Sequence, residues 1–318
     1  MSGLVRYAAG RVVQLVVMLF VASCLVFFVV QRAPGDPARM YLGTEATPAQ
    51  IAAVRRSLGL DAALPVRYAF WLSRVVRLDL GKSFITGLPV SHIIMTAFGN
   101  TAQVALLATA IAVVLGLALG ICAALNRGRY IDTMISAGAS VAVSIPSFAI
   151  GLLLIVIVAV KLQWLPPSGG GPAGASSVTF QYMILPAMTL AAPFCAIVSR
   201  FVRVALTEAM KEDYVLTARA FGLKKWTVVN HALRNALIPT VTVAGVSFGQ
   251  LLMGAMVTET VFSYPGLGYV TIQAIRNLDY PVVEGALVFC ALILLLVTLL
   301  VDLTYGLLDP RVRLGRRP

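Results

Sequence analysis

Thr207 to Asn235 reads TEAMKEDYVLTARAFGLKKWTVVNHALRN, a polar and basic stretch set between two long apolar runs. A charged segment of this length does not lie in hydrocarbon, where each bare charge costs several kcal/mol. It lies in water, and the runs on either side of it cross the bilayer. Working outward from it, apolar runs at 12–30, 101–125, 133–160, 182–206, 236–262 and 284–306 give six expected spans. Each is close to or above the roughly 20 residues that a membrane-crossing helix needs. The expected fold class is an all-α integral membrane protein. Its organisation is a single membrane domain over 1–318, a long loop at 31–100 between the first two spans, and the polar segment 207–235.

Composition agrees. The 318 residues are 59% hydrophobic and 12% charged, against about 25% charged in a soluble domain, which excludes a soluble enzyme. The net charge of +12 reads as positive-inside bias, because no basic tract with interleaved aromatics supports nucleic-acid binding. Cys24, Cys122, Cys195 and Cys290 lie singly in apolar runs, and His92 and His231 are far apart. That spacing offers neither a disulfide framework nor a metal site. No nucleophile–base constellation points to catalysis.

Val12–Val30 follows Arg6 and Arg11 and could be a cleaved leader. Its length and the absence of an A-x-A-like site favour an uncleaved first span. Val21-Ala22-Ser23-Cys24 faintly resembles a lipoprotein cleavage site, but the apolar run continues past it to Val30. Lys and Arg set the orientation. Arg6, Arg11, Arg127, Arg129, Arg200, Arg203, Lys211, Arg219, Lys224, Lys225, Arg234, Arg311, Arg313, Arg316 and Arg317 flank one side. The opposite short loops hold only Lys161 and Arg276. Both termini and 207–235 are therefore expected in the cytoplasm.

In the external loop, Thr47-Pro48-Ala49-Gln50 has the form of a capping box that starts a helix, with Ile51, Val54 and Leu58 on one face and Gly59 as its stop. A second short helix is expected near Pro65, carrying Tyr68, Phe70, Trp71 and Leu72. This helical cap is either a ligand-contacting element or a structural plug. Gly81-Lys82-Ser83 is not a phosphate loop, because the first glycine of G-x-x-x-x-G-K-S/T would fall on Val76. Any ATP-driven action must come from a partner.

Glu208 to Phe221 suits a helix, with Leu216, Ala220 and Leu223 on one face and Val215 and Ala218 on another. Gly222 interrupts it, and a second short helix runs through Trp226, Val229 and Leu233. Two short helices hinged at a glycine make a projecting knob, and the small residues Ala218, Ala220 and Gly222 permit close approach by a partner. The alternative is an ordinary loop; its length and patterning favour docking.

Asp213-Tyr214, Thr217-Ala218-Arg219-Ala220 and Gly222, followed by His231-Ala232-Leu233-Arg234-Asn235-Ala236-Leu237-Ile238-Pro239, resemble the cytoplasmic signature of ABC importer permeases. The similarity is to the peptide, nickel and glutathione subgroup, B-type subunit. Ala33-Pro34-Gly35-Asp36-Pro37-Ala38, Leu58-Gly59-Leu60-Asp61, Leu78-Asp79-Leu80-Gly81-Lys82-Ser83, Ser144-Ile145-Pro146-Ser147-Phe148, Glu259 through Gly268 and Leu308-Asp309-Pro310-Arg311 resemble it too. Leu216-Thr217-Ala218 replace the broad family's E-A-A, and Pro239 comes later than in its pattern, as in the peptide subgroup.

The resemblance implies a type I permease fold in a bacterial inner membrane, paired with a second homologous permease, two ABC ATPase subunits and an extracytoplasmic substrate-binding protein. It implies that Asp213, Tyr214, Leu216, Thr217, Ala218, Arg219, Ala220, Gly222 and Leu223 couple to the ATPases, which use ATP and Mg, while this chain holds no cofactor. Alternating access would move dipeptides, longer peptides, glutathione or chelated nickel inward.

Polar groups at membrane depth are Ser140, Ser144, Ser147, Thr189, Thr242, Ser247, Gln250, Thr258 and Glu259, with Asp302 near the inner end of the last span. Ser144, Ser147, Gln250 and Glu259 are the candidates for lining the pathway or bracing it, and for Glu259 a brace on the Tyr264-Pro265-Gly266 turn is favoured. Pro146, Pro186, Pro193 and Pro239 are candidate kinks, and Gly116, Gly120, Gly245, Gly249 and Gly254 candidate close-packing points. An ion-coupled secondary transporter would want acidic groups in mid-span, which are almost lacking; a passive channel is the other alternative.

Overall fold

The computed structural model describes residues 2–32, 38, 42, 46–57, 59, 61–172 and 177–308, with backbone alone for 2–8, 57, 235, 238–244, 246–248, 250, 253 and 301–308. The described elements are helical: α1 Ser2–Val30, α2 Pro48–Ser57, α3 Leu64–Val76, α4 Val90–Leu125, α5 Tyr130–Ser144, α6 Ser147–Leu154, a π-helical stretch Ile155–Lys161, α7 Phe180–Ala209, α8 Asp213–Ala220, α9 Lys225–Val261, α10 Leu267–Arg276 and α11 Tyr280–Leu308. Among the described residues four helices are long and apolar enough to cross a membrane, or five if α5 and the helix after it count as one bent span. The fifth expected run, 236–262, is the C-terminal part of α9, which ends at Val261.

The chain divides into two compact units, one formed by Met1–Asn100 with Pro265–Pro318 and the other by Thr101–Tyr264. In the first, α1 packs along α11. Its core is Val30, Val90, Ile94, Ala97, Leu267, Ala274, Tyr280, Val282, Val283 and Ala286. Gly285 lets α11 approach the start of α4, since a Cβ there would stand 2.9 Å from Val90 Cγ1. The capping box at α2 is formed: Thr47 N–H donates to Gln50 Oε1 at 2.9 Å and Gln50 N–H to Thr47 Oγ1 at 3.4 Å. The helix expected near Pro65 is α3. Gly81-Lys82-Ser83 enters a β-bridge from Lys82 to Pro89, and Ser83 donates to the buried Asp279 carboxylate at 2.5 Å.

In the second unit, α7 packs on α5, α6 and α9 around Val104, Ala108, Leu185, Leu190, Leu251, Phe262 and Tyr264. The glycines of Gly116-Leu117-Ala118-Leu119-Gly120 bring α4 onto α7. A Cβ at Gly116 would lie 2.7 Å from Val198 Cβ, and one at Gly120 2.7 Å from the Ser199 carbonyl oxygen. This is the small-xxx-small device of membrane helix pairs.

Several expectations change. The loop that begins at Gln31 ends at Val90 and not at Asn100, because α4 extends the second apolar run by eleven residues at its start. The third run is not one helix. Pro146, having no N–H to continue the ladder, separates α5 from α6, and the axes bend by 104°. Pro186 and Pro193 lie inside a continuous α7. Among the described residues, Gly245 and Gly254 bring no close packing within this chain, since a Cβ on either meets nothing within 4 Å. Residues 33–37, Leu58, Leu60 and 309–318, and the side chains of Pro239, Thr242, Ser247, Gln250 and Asp302, lie outside the described residues.

Candidate functional site

The 207–235 segment is not two short helices. α7 runs on through Ala209, and Met210, Lys211 and Glu212 turn the chain. α8 is a single short helix, and the second helix is the beginning of the 37-residue α9. The reason is burial. Leu206 and Ala209 from α7, Val215 from α8, and Val228, Ala232 and Ala236 from α9 form one buried cluster, against which Ile121, Ala124, Met210, Ala218 and Leu233 pack. Apolar residues on both sides of the segment thus draw the long helices into the knob, and Val215 is its fully buried anchor.

The turn from α8 to α9 is a Schellman motif. Gly222 N–H donates to the Arg219 carbonyl at 2.9 Å, and Leu223 N–H to the Ala218 carbonyl at 3.2 Å. Gly222 has φ +72° with open space where a Cβ would stand. The glycine is required by backbone conformation and not by crowding.

Apolar side chains stand uncovered on the knob among its charged ones. Phe221 is 81% and Trp226 74% exposed, with Leu216, Tyr214 and Leu223 also exposed. Asp213, Thr217, Arg219 and Ala220 lie on the same exposed helix. Of the two predicted faces, Val215 with Ala218 turns inward, and Leu216, Ala220 and Leu223 turn outward. Thr217 Oγ1 donates to the Asp213 carbonyl at 2.9 Å.

A feature missed in the sequence sits beside this cluster. Asp132 on α5 is buried and takes both Arg203 Nε at 2.5 Å and Nη2 at 2.8 Å from α7, while Gly128 N–H donates to the same carboxylate at 3.0 Å. The 126–129 turn is thereby fastened to α7. A weak signal existed: an acid three residues into a helix, with an arginine in a later apolar run.

Among the described residues the membrane-depth candidates are spread over several elements. Ser144 is exposed at the end of α5 and donates to the Ser140 carbonyl at 2.9 Å, as Ser140 does to Ser136 at 3.0 Å. Ser147 is half-buried and opens α6 across the 104° break. Glu259 is fully buried and accepts the Thr101 hydroxyl at 2.6 Å. Its backbone carbonyl accepts Tyr264 N–H at 2.8 Å, which holds the turn after α9. Thr189 is buried and bonded to the Leu185 carbonyl at 2.9 Å; Thr258 is buried with its hydroxyl unbonded.

Residues 112–314 match the family model described as binding-protein-dependent transport system inner membrane component, and residues 4–105 match the model of the N-terminal part of such membrane components. The chain belongs to this transport-system family. Curated relatives extend along nearly its whole length. A probable peptide ABC transporter permease from Sinorhizobium fredii is 36% identical over 309 residues, 96% of this chain and 99% of the relative. A glutathione transport system permease protein from Escherichia coli O6:H1 is 39% identical over 311 residues, 98% of this chain and 99% of the relative. One of the same description from Shigella dysenteriae is 38% identical over 311 residues, with the same shares. The resemblance to peptide-type ABC permeases drawn from the short motifs therefore stands on the full chain, and this transport component is an all-helical inner-membrane ABC permease.

Proposed function

We propose that this permease forms, with a second homologous permease, the translocation path of an ATP-driven importer for peptides or related small solutes such as glutathione. Two ATPase subunits that use ATP and Mg work on it from the cytoplasm, and an extracytoplasmic binding protein delivers the solute; the chain itself needs no cofactor and catalyses nothing. Six spans cross the bacterial inner membrane, with both termini in the cytoplasm.

The observation that carries this reading is the knob built on Val215. It combines a rigid base shared by α4, α7 and α9 with an uncovered apolar tip at Phe221 and Trp226. Exposed aromatic side chains on a projecting segment suit contact with a partner. An ATPase cleft closing on ATP would move the tip and, through the base, tilt three helices together. The size of that bias is bounded by the difference in nucleotide affinity between the two states.

The test is co-expression with the neighbouring permease, ATPase and binding-protein genes, followed by purification and reconstitution. The expected result is a complex whose ATP hydrolysis rises when loaded binding protein is added. Paired Phe221→Ser and Trp226→Ser substitutions should keep membrane insertion and lose that stimulation. No complex, or full stimulation in the double variant, would overturn the coupling role of 207–235.

A further inference from the structure

The helix α3 has an uncovered face that the transport reading does not use. Pro65, Val66, Ala69, Phe70, Ser73 and Val76 lie within one arc of its helical wheel, and all are exposed. Phe70 is 68% and Val76 75% exposed. The lone polar group, the Ser73 hydroxyl, already donates to the Phe70 carbonyl at 2.7 Å. The face therefore asks nothing of water.

The opposite side of α3 fixes its depth. The Tyr68 ring packs on Phe20, Phe27 and Phe28 of α1 with centroids 6.2, 5.4 and 5.8 Å apart. Its hydroxyl stands 2.8 Å from Ser23 Oγ, and Trp71 packs on Phe27 at 5.4 Å. Ser23 lies seven residues before the end of the apolar span Ala9–Val30, which is about 10 Å along the helix. One turn of α3 thus touches α1 well inside the apolar stretch.

The two arginines within α3 are both partnered. Arg67 donates to Gln31, whose amide donates to the Glu284 carboxylate at 3.1 Å. Arg74 pairs with Asp79 at 2.9 Å. Both flank the apolar arc and stay out of it.

We propose that the face of α3 from Pro65 to Val76 lies in the bilayer, at the leaflet reached by the C-terminal end of α1, with lipid acyl chains as its occupant. The uncovered apolar side of α1 (Val17, Val21, Leu25 and Val29 among it) supplies continuity with a lipid-facing surface, and an apolar face beside basic flanks is how interfacial helices sit. The long loop is then an element embedded in one leaflet, and not a cap standing in water. The inference rests on α1 being a span and on no step of transport.

The test uses the full chain in nanodiscs of phosphatidylcholine and phosphatidylglycerol, where both membrane faces reach solvent and orientation does not matter. In a background with the four native cysteines replaced by alanine, Phe70→Cys carries an environment-sensitive fluorophore, and Ala52→Cys on exposed α2 serves as the aqueous control. Val66→Cys reads the same face should the first variant fail to insert. Acyl-brominated lipids should quench the label on α3 at least threefold more than the control. Equal quenching at both positions would overturn the proposal. So would relief of quenching on addition of the binding protein, which would make a protein the occupant.

Discussion

Replacing Gly120 by alanine adds one methyl group where the structure leaves no room. The new Cβ would stand 2.7 Å from the Ser199 carbonyl oxygen and 2.7 Å from Val202 Cβ, against 3.4–4 Å for ordinary contact. α7 must retreat by about 0.7 Å, and overpacking of this kind costs about 1–3 kcal/mol. Alanine also gains about 1 kcal/mol over glycine in helix propensity, so a single variant mixes two effects. Gly254→Ala separates them, since its Cβ meets nothing within 4 Å and it takes the propensity gain alone. The difference between the two variants isolates the clash, roughly a 5- to 150-fold change in the folding constant. Reversible unfolding in mixed detergent micelles measures it. If Gly120→Ala is as stable as Gly254→Ala, the close approach of α4 and α7 is refuted.

At Gly222, with φ +72°, valine should cost about 1–2 kcal/mol locally and lower binding-protein-stimulated ATP hydrolysis, while asparagine, which tolerates that conformation, should lose less; equal loss in both would point away from backbone strain. Asp132→Ala leaves Arg203 without its bidentate partner and should cost about 2 kcal/mol, less than a fully buried pair because Arg203 is one-third exposed; limited proteolysis at 126–129 should rise in parallel. The Arg74 guanidinium, and next the Gly81 N–H, hold the Asp79 carboxyl below the usual carboxylate range. A depressed folded pKa contributes stability that is complete above about pH 4 and is lost as pH falls through the lower folded value. Hydrogen exchange at the C-terminal turn of α3 should therefore be flat from pH 5 upward once intrinsic rates are removed, and Asp79→Asn should abolish any acid-side change.

The parts of the fold that were legible are those set by local chemistry. Thr47 and Gln50 announced their capping box because both partners lie within one turn. The apolar runs announced their helices because hydrocarbon admits little else. Gly116 and Gly120 were legible as a packing motif, whereas at Gly245 and Gly254 the same residue type meets nothing within 4 Å among the described residues, and only the fold distinguishes them. The knob was half legible. Gly222 marked the turn, but the helix ends around it depend on the Leu206–Val215–Val228 cluster, a contact among three elements that periodicity in one cannot reveal. Pro146 was read as a kink and is a break, because a proline next to an extended Ile145 ends a helix outright. Asp132–Arg203 and Thr101–Glu259 join residues 71 and 158 positions apart, and nothing in the spacing foretells them.

The helix α9 starts two residues beyond the Schellman turn and runs unbroken through 37 residues to Val261. At 1.5 Å per residue it is a rod about 55 Å long. Pivoting such a rod by about 5° about its base sweeps the far tip through about 5 Å, roughly one helical turn. That tip carries Glu259 and delivers Phe262, whose ring sits 3.1 Å from where a side chain on Gly151 would begin. If the coupling proposed above holds, a displacement at Gly222 would be enlarged at the far end of α9, beside the 104° break between α5 and α6.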